Sequence, residues 1–277
     1  MTDREIEQAA QEVLLAHEFR GLPVDPFAIA GMESIVVLSG SYGGCFDGRI
    51  EYRRRDGLGR FYLFYAEEEP PWRPEGRVRF SIAHELAHFY LEEHRRYLLS
   101  GIWHGSHAGF VSDRRTEREA DLFAAALLMP RAMLQDIVGK KSGQVCDVRE
   151  LSDLAERTFR TSMTSTVIRY VQLNFEPCCV VLSRKGRALY SVASEDLRRQ
   201  GLGWIDCGSA IPATSVTGRL LAALAEGDAA NKGGAVEADV WFEGKPAREM
   251  WEEVMVLGKT GLTLTFIAMT VDEEADD

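Results

Sequence analysis

The sequence predicts an α+β chain, and three observations carry that reading. Apolar residues recur at helical spacing near the start and again around residues 77–94 and 116–129. Short runs rich in β-branched and aromatic residues, 34–38, 49–53 and 60–66, are separated by glycines and read as strands. From residue 178 a second set of strand-like runs surrounds a single helix, so the 277 residues divide into more than one domain.

Each element has its reason. Ile6, Ala9, Ala10, Val13 and Leu14 share one face of a helix over 4–19, and "GLPVDPFAIAG" with its two prolines then breaks the pattern. "SIVVL", "RIEYR" and "RFYLFYA" form a small sheet with hairpins. "EEEPPWRPEG" (67–76) reads as a surface loop, and the helix after it takes Ser81 as its N-cap. A second irregular stretch, 100–115, leads to a helix over 116–129. Pro130 ends that helix and suits the first turn of the next.

Three regions are expected: a compact α+β unit over 1–141, a helix-turn-helix-like segment over 142–176 and a second α+β domain over 177–277. In the last, "CCVVLS", "ALYSVAS", "VEADVWF", "WEEVMVL" and "LTLTFIAM" read as strands, with a helix in "SVTGRLLAALAEG". The acidic tail "VDEEADD" is expected to fray.

Composition narrows the function. Apolar content of 45% with 27% charged residues fits a chain that buries a core. The longest apolar run, 122–130, is about half the length that crosses a bilayer, and the first residues lack a signal-peptide core, so a cytoplasmic protein is expected. Five cysteines without a C-x-x-C pair make neither a disulfide framework nor a zinc ribbon, and each reads as a small buried hydrophobe. A net charge of −11 excludes a surface that tracks phosphate throughout. That leaves room for a local basic patch in the run 48–60, for which a solvated hairpin is the plainer reading. The arginines of 148–173 are candidates for a DNA-facing surface, but they alternate with acids in the manner of a packed helical pair, which is the preferred reading.

Chemistry concentrates in "HELAHFYLEEH", with three histidines and three glutamates from His84 to His94. Residues four apart on a helix share a face, so His84 and His88 can reach one ion, and Glu85 lies about 100° round. This is the H-E-x-x-H arrangement, two zinc-binding histidines with a glutamate as general base. His94 stands where a third histidine ligand would follow a glycine break, but that position holds Leu91 and a continuing helix points His94 about 120° away. The better third ligand is Glu117, which shares a helical face with Asp121, Ala124 and Leu128. Asp121 can then hydrogen-bond a ligand histidine, and Glu119 should face solvent. Two histidines and one carboxylate leave a position open for water, which marks a catalytic site over a structural one.

"RFSIAHELAHFYL" and "EREADLFAAALLMP" together resemble the ImmA/IrrE family of bacterial metallopeptidases, with Asp121 where the family often has Asn. The resemblance implies zinc ligands at His84, His88 and Glu117, Glu85 as the catalytic residue and a thermolysin-like (gluzincin-type) core. It further implies a helix-turn-helix-like segment and a C-terminal GAF-like sensor domain. The substrate it implies is a helix-turn-helix repressor, cleaved to switch on stress, mobile-element or phage-defence genes. A nucleic acid or small molecule would supply the activating signal. The same donors also accept manganese.

Further expectations concern control and substrate. "GRFYLFYA" reads as an edge strand for substrate or, equally, as core. His104 and His107 are candidate transition-state stabilisers against a reading as surface histidines. Cys45, in a glycine-rich run, is a candidate inhibitory thiol. The competing function is a regulator that binds a repressor or DNA with a structural or unused metal site. Glu85 speaks against it, because a structural site needs no general base.

Overall fold

The computed structural model describes residues 1–67, 75–101, 104–106, 114–139, 146–225, 232–245, 248–258 and 261–269. The chain forms two units, Met1–Leu134 with Leu154–Ser162, and Gln135–Asp153 with Met163–Asp277. Both mix helices with one sheet each. Within the stretch 146–176, Leu154–Ser162 group with the first unit and the residues on either side with the second. Among the described residues no helix is long and apolar enough to cross a membrane.

In the first unit, α1 (Asp3–Ala16) starts at Thr2, whose hydroxyl accepts from the Glu5 N–H while the Glu5 carboxylate accepts from the Thr2 N–H. α2 (Pro26–Met32) forms where the prolines had predicted only a break. Asp25 caps it, and Pro26 takes the first position, where a missing N–H costs nothing. β1 (Val36–Gly40), β2 (Gly48–Arg55) and β3 (Leu58–Ala66) follow. Asp56 and Gly57, with φ of 53° and 80°, make the two-residue turn of the β2–β3 hairpin. That hairpin is the basic run, and Glu51 pairs with both Arg49 and Arg53.

α3 (Glu75–Tyr90), α4 (Glu92–Leu99), β4 (His104–Ser106), α5 (Arg114–Leu128) and α6 (Arg131–Val138) complete the run. Ser81 lies well inside α3 and is not its N-cap. The sheet order is β1-β3-β2-β4, with β1 parallel to β3 and the other pairs antiparallel. "GRFYLFYA" is therefore a central strand, not an edge. α5 packs against both α1 and α3. The π-helical turn Leu154–Phe159 leads into 160–162, which closes on the start of α3. A Cβ on Gly76 would stand 2.5 Å from the Thr161 carbonyl carbon, so only glycine permits that approach. Arg160 and Glu75 pair there at 2.7 Å.

The second unit contains α7 (Val148–Asp153), α8 (Met163–Leu173), β5 (Cys178–Arg184), β6 (Arg187–Ala193), α9 (Glu195–Arg199), α10 (Val216–Ala225), β7 (Lys232–Glu237), α11 (Ala238–Trp241), β8 (Glu249–Leu257) and β9 (Leu262–Met269). Its five strands run antiparallel in the order β6-β5-β9-β8-β7. "VEADVWF" is strand only as far as Glu237 and then turns into α11, which buries Trp241. Cys179, Val181, Leu197, Trp241, Met250 and Ile267 belong to its core. Arg169 on α8 is wholly buried, which removes it from any DNA-facing surface. Cys146, Cys178 and Cys179 are buried as expected, whereas Cys45 and Cys207 are exposed.

Candidate metal centre

The site is built on α3, which is buried without interruption from Ser81 to Phe89. Such a helix has no solvent face, so its polar groups must find partners inside. His84 and His88, one turn apart, bring their Nε2 atoms to 3.3 Å. α5 supplies Glu117, whose Oε2 lies 3.4 Å from His84 Nε2 and whose Oε1 lies 3.9 Å from His88 Nε2. One ligand atom from each residue lies within 4.8 Å of the others. A tetrahedral ion with bonds of ~2.0–2.1 Å sets its donors about 3.3–3.4 Å apart. Two of the three separations already have that value.

The outer nitrogen of His84 decides what its inner nitrogen offers. Nδ1 lies 2.9 Å from Asp121 Oδ1. A carboxylate only accepts, so Nδ1 keeps a proton, and Nε2, facing His88 and Glu117, is the nitrogen that would give up its proton to a metal and offer its lone pair. Electron pairs and a carboxylate converging at this spacing repel one another unless positive charge lies among them. The donor set therefore fits a divalent metal ion. His84 itself reports the same demand. Burial alone would lower its pKa, but hydrogen bonds to Asp121 and Glu117, with the charge of Glu85, lift it to about 10. A proton competes with the metal for this place. Asp121 is 61% exposed on its side chain, so water screens part of its influence.

Glu85 is fully buried one position round the helix from His84. Gly48, at the start of β2, lies against it: a Cβ there would stand 2.9 Å from both Glu85 Cγ and Oε1. Sequence reasoning missed Gly48, since nothing local marks a glycine whose role is to leave space. Gly48→Ala is expected to push the Glu85 side chain aside. Metal content and melting temperature should change little while the rate of peptide hydrolysis falls about tenfold or more, as a displacement of ~1 Å at a reacting group costs up to ~10²-fold. Comparing kcat with metal content in the purified variant checks this.

Two expectations on neighbouring residues are corrected. α3 does not run on through His94. It ends at Tyr90, and Leu91 is extended (φ −71°, ψ 120°) before α4 begins with Glu92 and Glu93. The break returns His94 to the site, with its Nδ1 3.1 Å from His88 Nδ1. Glu119 does not face solvent, because α5 lies between two helices. It is 6% exposed, and its Oε2 lies 3.2 Å from His94 Nε2. Arg115 Nε and the Met1 amino group donate to its Oε1, each at 2.9 Å. The missed signal was the acidic pair after an apolar run, a helix-start pattern that sets His94 in a new helix.

Cys45 is exposed on the turn before β2 and is not one of the three converging residues. The His104 backbone opens β4, while its side chain and all of His107 lie outside the described residues.

No curated protein matches the chain. Residues 70–168 match a family model described as the IrrE N-terminal-like domain, a metallopeptidase family; this match supports the resemblance to the ImmA/IrrE family and covers the segment that carries His84, Glu85, His88 and Glu117.

Proposed function

We propose that the protein is a cytoplasmic zinc-dependent endopeptidase that cleaves a helix-turn-helix transcriptional repressor and thereby derepresses stress, mobile-element or phage-defence genes. The observation that carries the enzymatic part is the buried Glu85 beside His84, His88 and Glu117, in a space that Gly48 keeps clear. A structural metal site has no use for that carboxylate.

His84, His88 and Glu117 would hold the metal, and manganese suits the same donors. When bound, the ion supplies Lewis acidity toward water and the scissile carbonyl. Glu85 takes the proton from the attacking water and passes it to the leaving amine. Asp121 keeps the His84 ring turned so that Nε2 faces the site. An extended substrate would add to the sheet at β4, which lies at an edge beside β2, in place of the central β3. The thermolysin-like reading of the first unit accords with this helix-and-edge-strand arrangement. The second unit is read as the GAF-like sensor of a small molecule or nucleic acid, supported by its antiparallel sheet and separate core.

The repressor is testable in cells. Helix-turn-helix regulators encoded beside this chain are tagged and co-expressed with wild type or Glu85→Gln, in the presence and absence of stress. One of them should be shortened by the wild type alone. If another class of protein is cut in its place, the repressor reading fails. If no protein is cut, the enzymatic reading fails.

A further inference from the structure

We infer that His94 and Glu119 are positioning residues for His88, a relay that fixes which of its nitrogens faces the metal site. The inference rests on the site proposed above and extends it to two residues that touch neither metal nor substrate.

His88, His94 and Glu119 are all buried, at 1%, 6% and 6% exposure. Hydrogen bonds between groups so removed from water have few competitors, and one wrong tautomer would leave a buried nitrogen without a partner. The chain of donors can be worked out from one end. Glu119 is a carboxylate that only accepts, so the proton of this contact sits on His94 Nε2, 3.2 Å from Glu119 Oε2. A neutral imidazole protonated at Nε2 has a bare Nδ1. His94 Nδ1 must therefore accept, and its partner at 3.1 Å is His88 Nδ1, which must donate. His88 is then left with its Nε2 lone pair aimed at His84 Nε2 and Glu117.

His84 reaches the same state through Asp121 directly. His88 reaches it through an interposed imidazole. The break at Leu91 is what allows this, because a continuous helix would carry His94 about 120° away. At its far end Glu119 is anchored by Arg115 Nε at 2.9 Å.

The test uses the full-length protein. Zinc affinity, measured by competition with a chelator, is compared in wild type, His94→Phe and His94→Asn. Phenylalanine fills the space without a hydrogen bond, and asparagine can place an acceptor near the position of Nδ1. His94→Phe should bind zinc about 10- to 100-fold more weakly, and His94→Asn should recover most of the loss. Equal affinity in wild type and a folded His94→Phe overturns the relay while leaving the metal site intact. A wild type that binds no zinc overturns both. Should His94→Phe not fold, histidine-selective nitrogen NMR of zinc-loaded wild type decides: His94 is expected as the Nε2–H tautomer, and a protonated Nδ1 overturns the relay.

Discussion

Glu85→Gln is expected to keep its metal and lose peptide hydrolysis by ~10²–10⁴-fold, the usual worth of a positioned general acid–base. The substitution preserves shape in a site where shape is tightly set, with Gly48 on one side and α3 on the other. The amide cannot take the proton of the attacking water, and its N–H groups cannot shuttle one to the leaving amine. Because Glu85 is not among the converging ligand atoms, metal content should be unchanged. Single-turnover cleavage alongside metal analysis of the same preparation separates the two effects. A Glu85→Gln enzyme within a few-fold of wild type would remove Glu85 from the chemistry.

Glu252→Ala is expected to be the most destabilising single change in the second unit. The Glu252 side chain on β8 is fully buried and accepts four hydrogen bonds: from Val216 N at 3.0 Å, Thr217 N at 2.7 Å, Thr217 Oγ1 at 2.6 Å and Trp241 Nε1 at 3.0 Å. Two of these donors are the first backbone N–H groups of α10, which no residue of the helix itself can satisfy. A carboxylate also suits the positive end of the helix. Removing it strands several buried donors at about 1–3 kcal/mol each, so a total of about 4 kcal/mol or more is expected. Glu252→Gln keeps one acceptor oxygen and should lose less. Urea unfolding of the three proteins measures the order, and an unchanged midpoint for Glu252→Ala would show that water or rearrangement satisfies those donors.

The two helices that carry the candidate site were legible because their information is local. His84 and His88 lie one turn apart, as do Glu117 and Asp121, and the 3.6-residue period converts such spacings directly into shared faces. The strands around them were also legible as strands. Their order was not. β2 and β3 are joined by a two-residue turn, but β1 adds in parallel to the far side of β3 through a non-local contact, and this makes "GRFYLFYA" central. Glu119 was misplaced for a related reason. A wheel drawn for one helix assumes one buried face, whereas α5 is covered by α1 and α3. His94 was misplaced because an intact helix was assumed through Leu91. Burial of Leu91 together with a favourable acidic start to α4 makes the break affordable there.

The most direct measurement is the metal content of the purified protein beside its Glu117→Ala variant. The geometry predicts about one zinc per chain in wild type and clear loss in the variant, because α3 alone offers only two donors at bonding separation. Zinc retained at the wild-type level in Glu117→Ala would contradict a centre built from His84, His88 and Glu117.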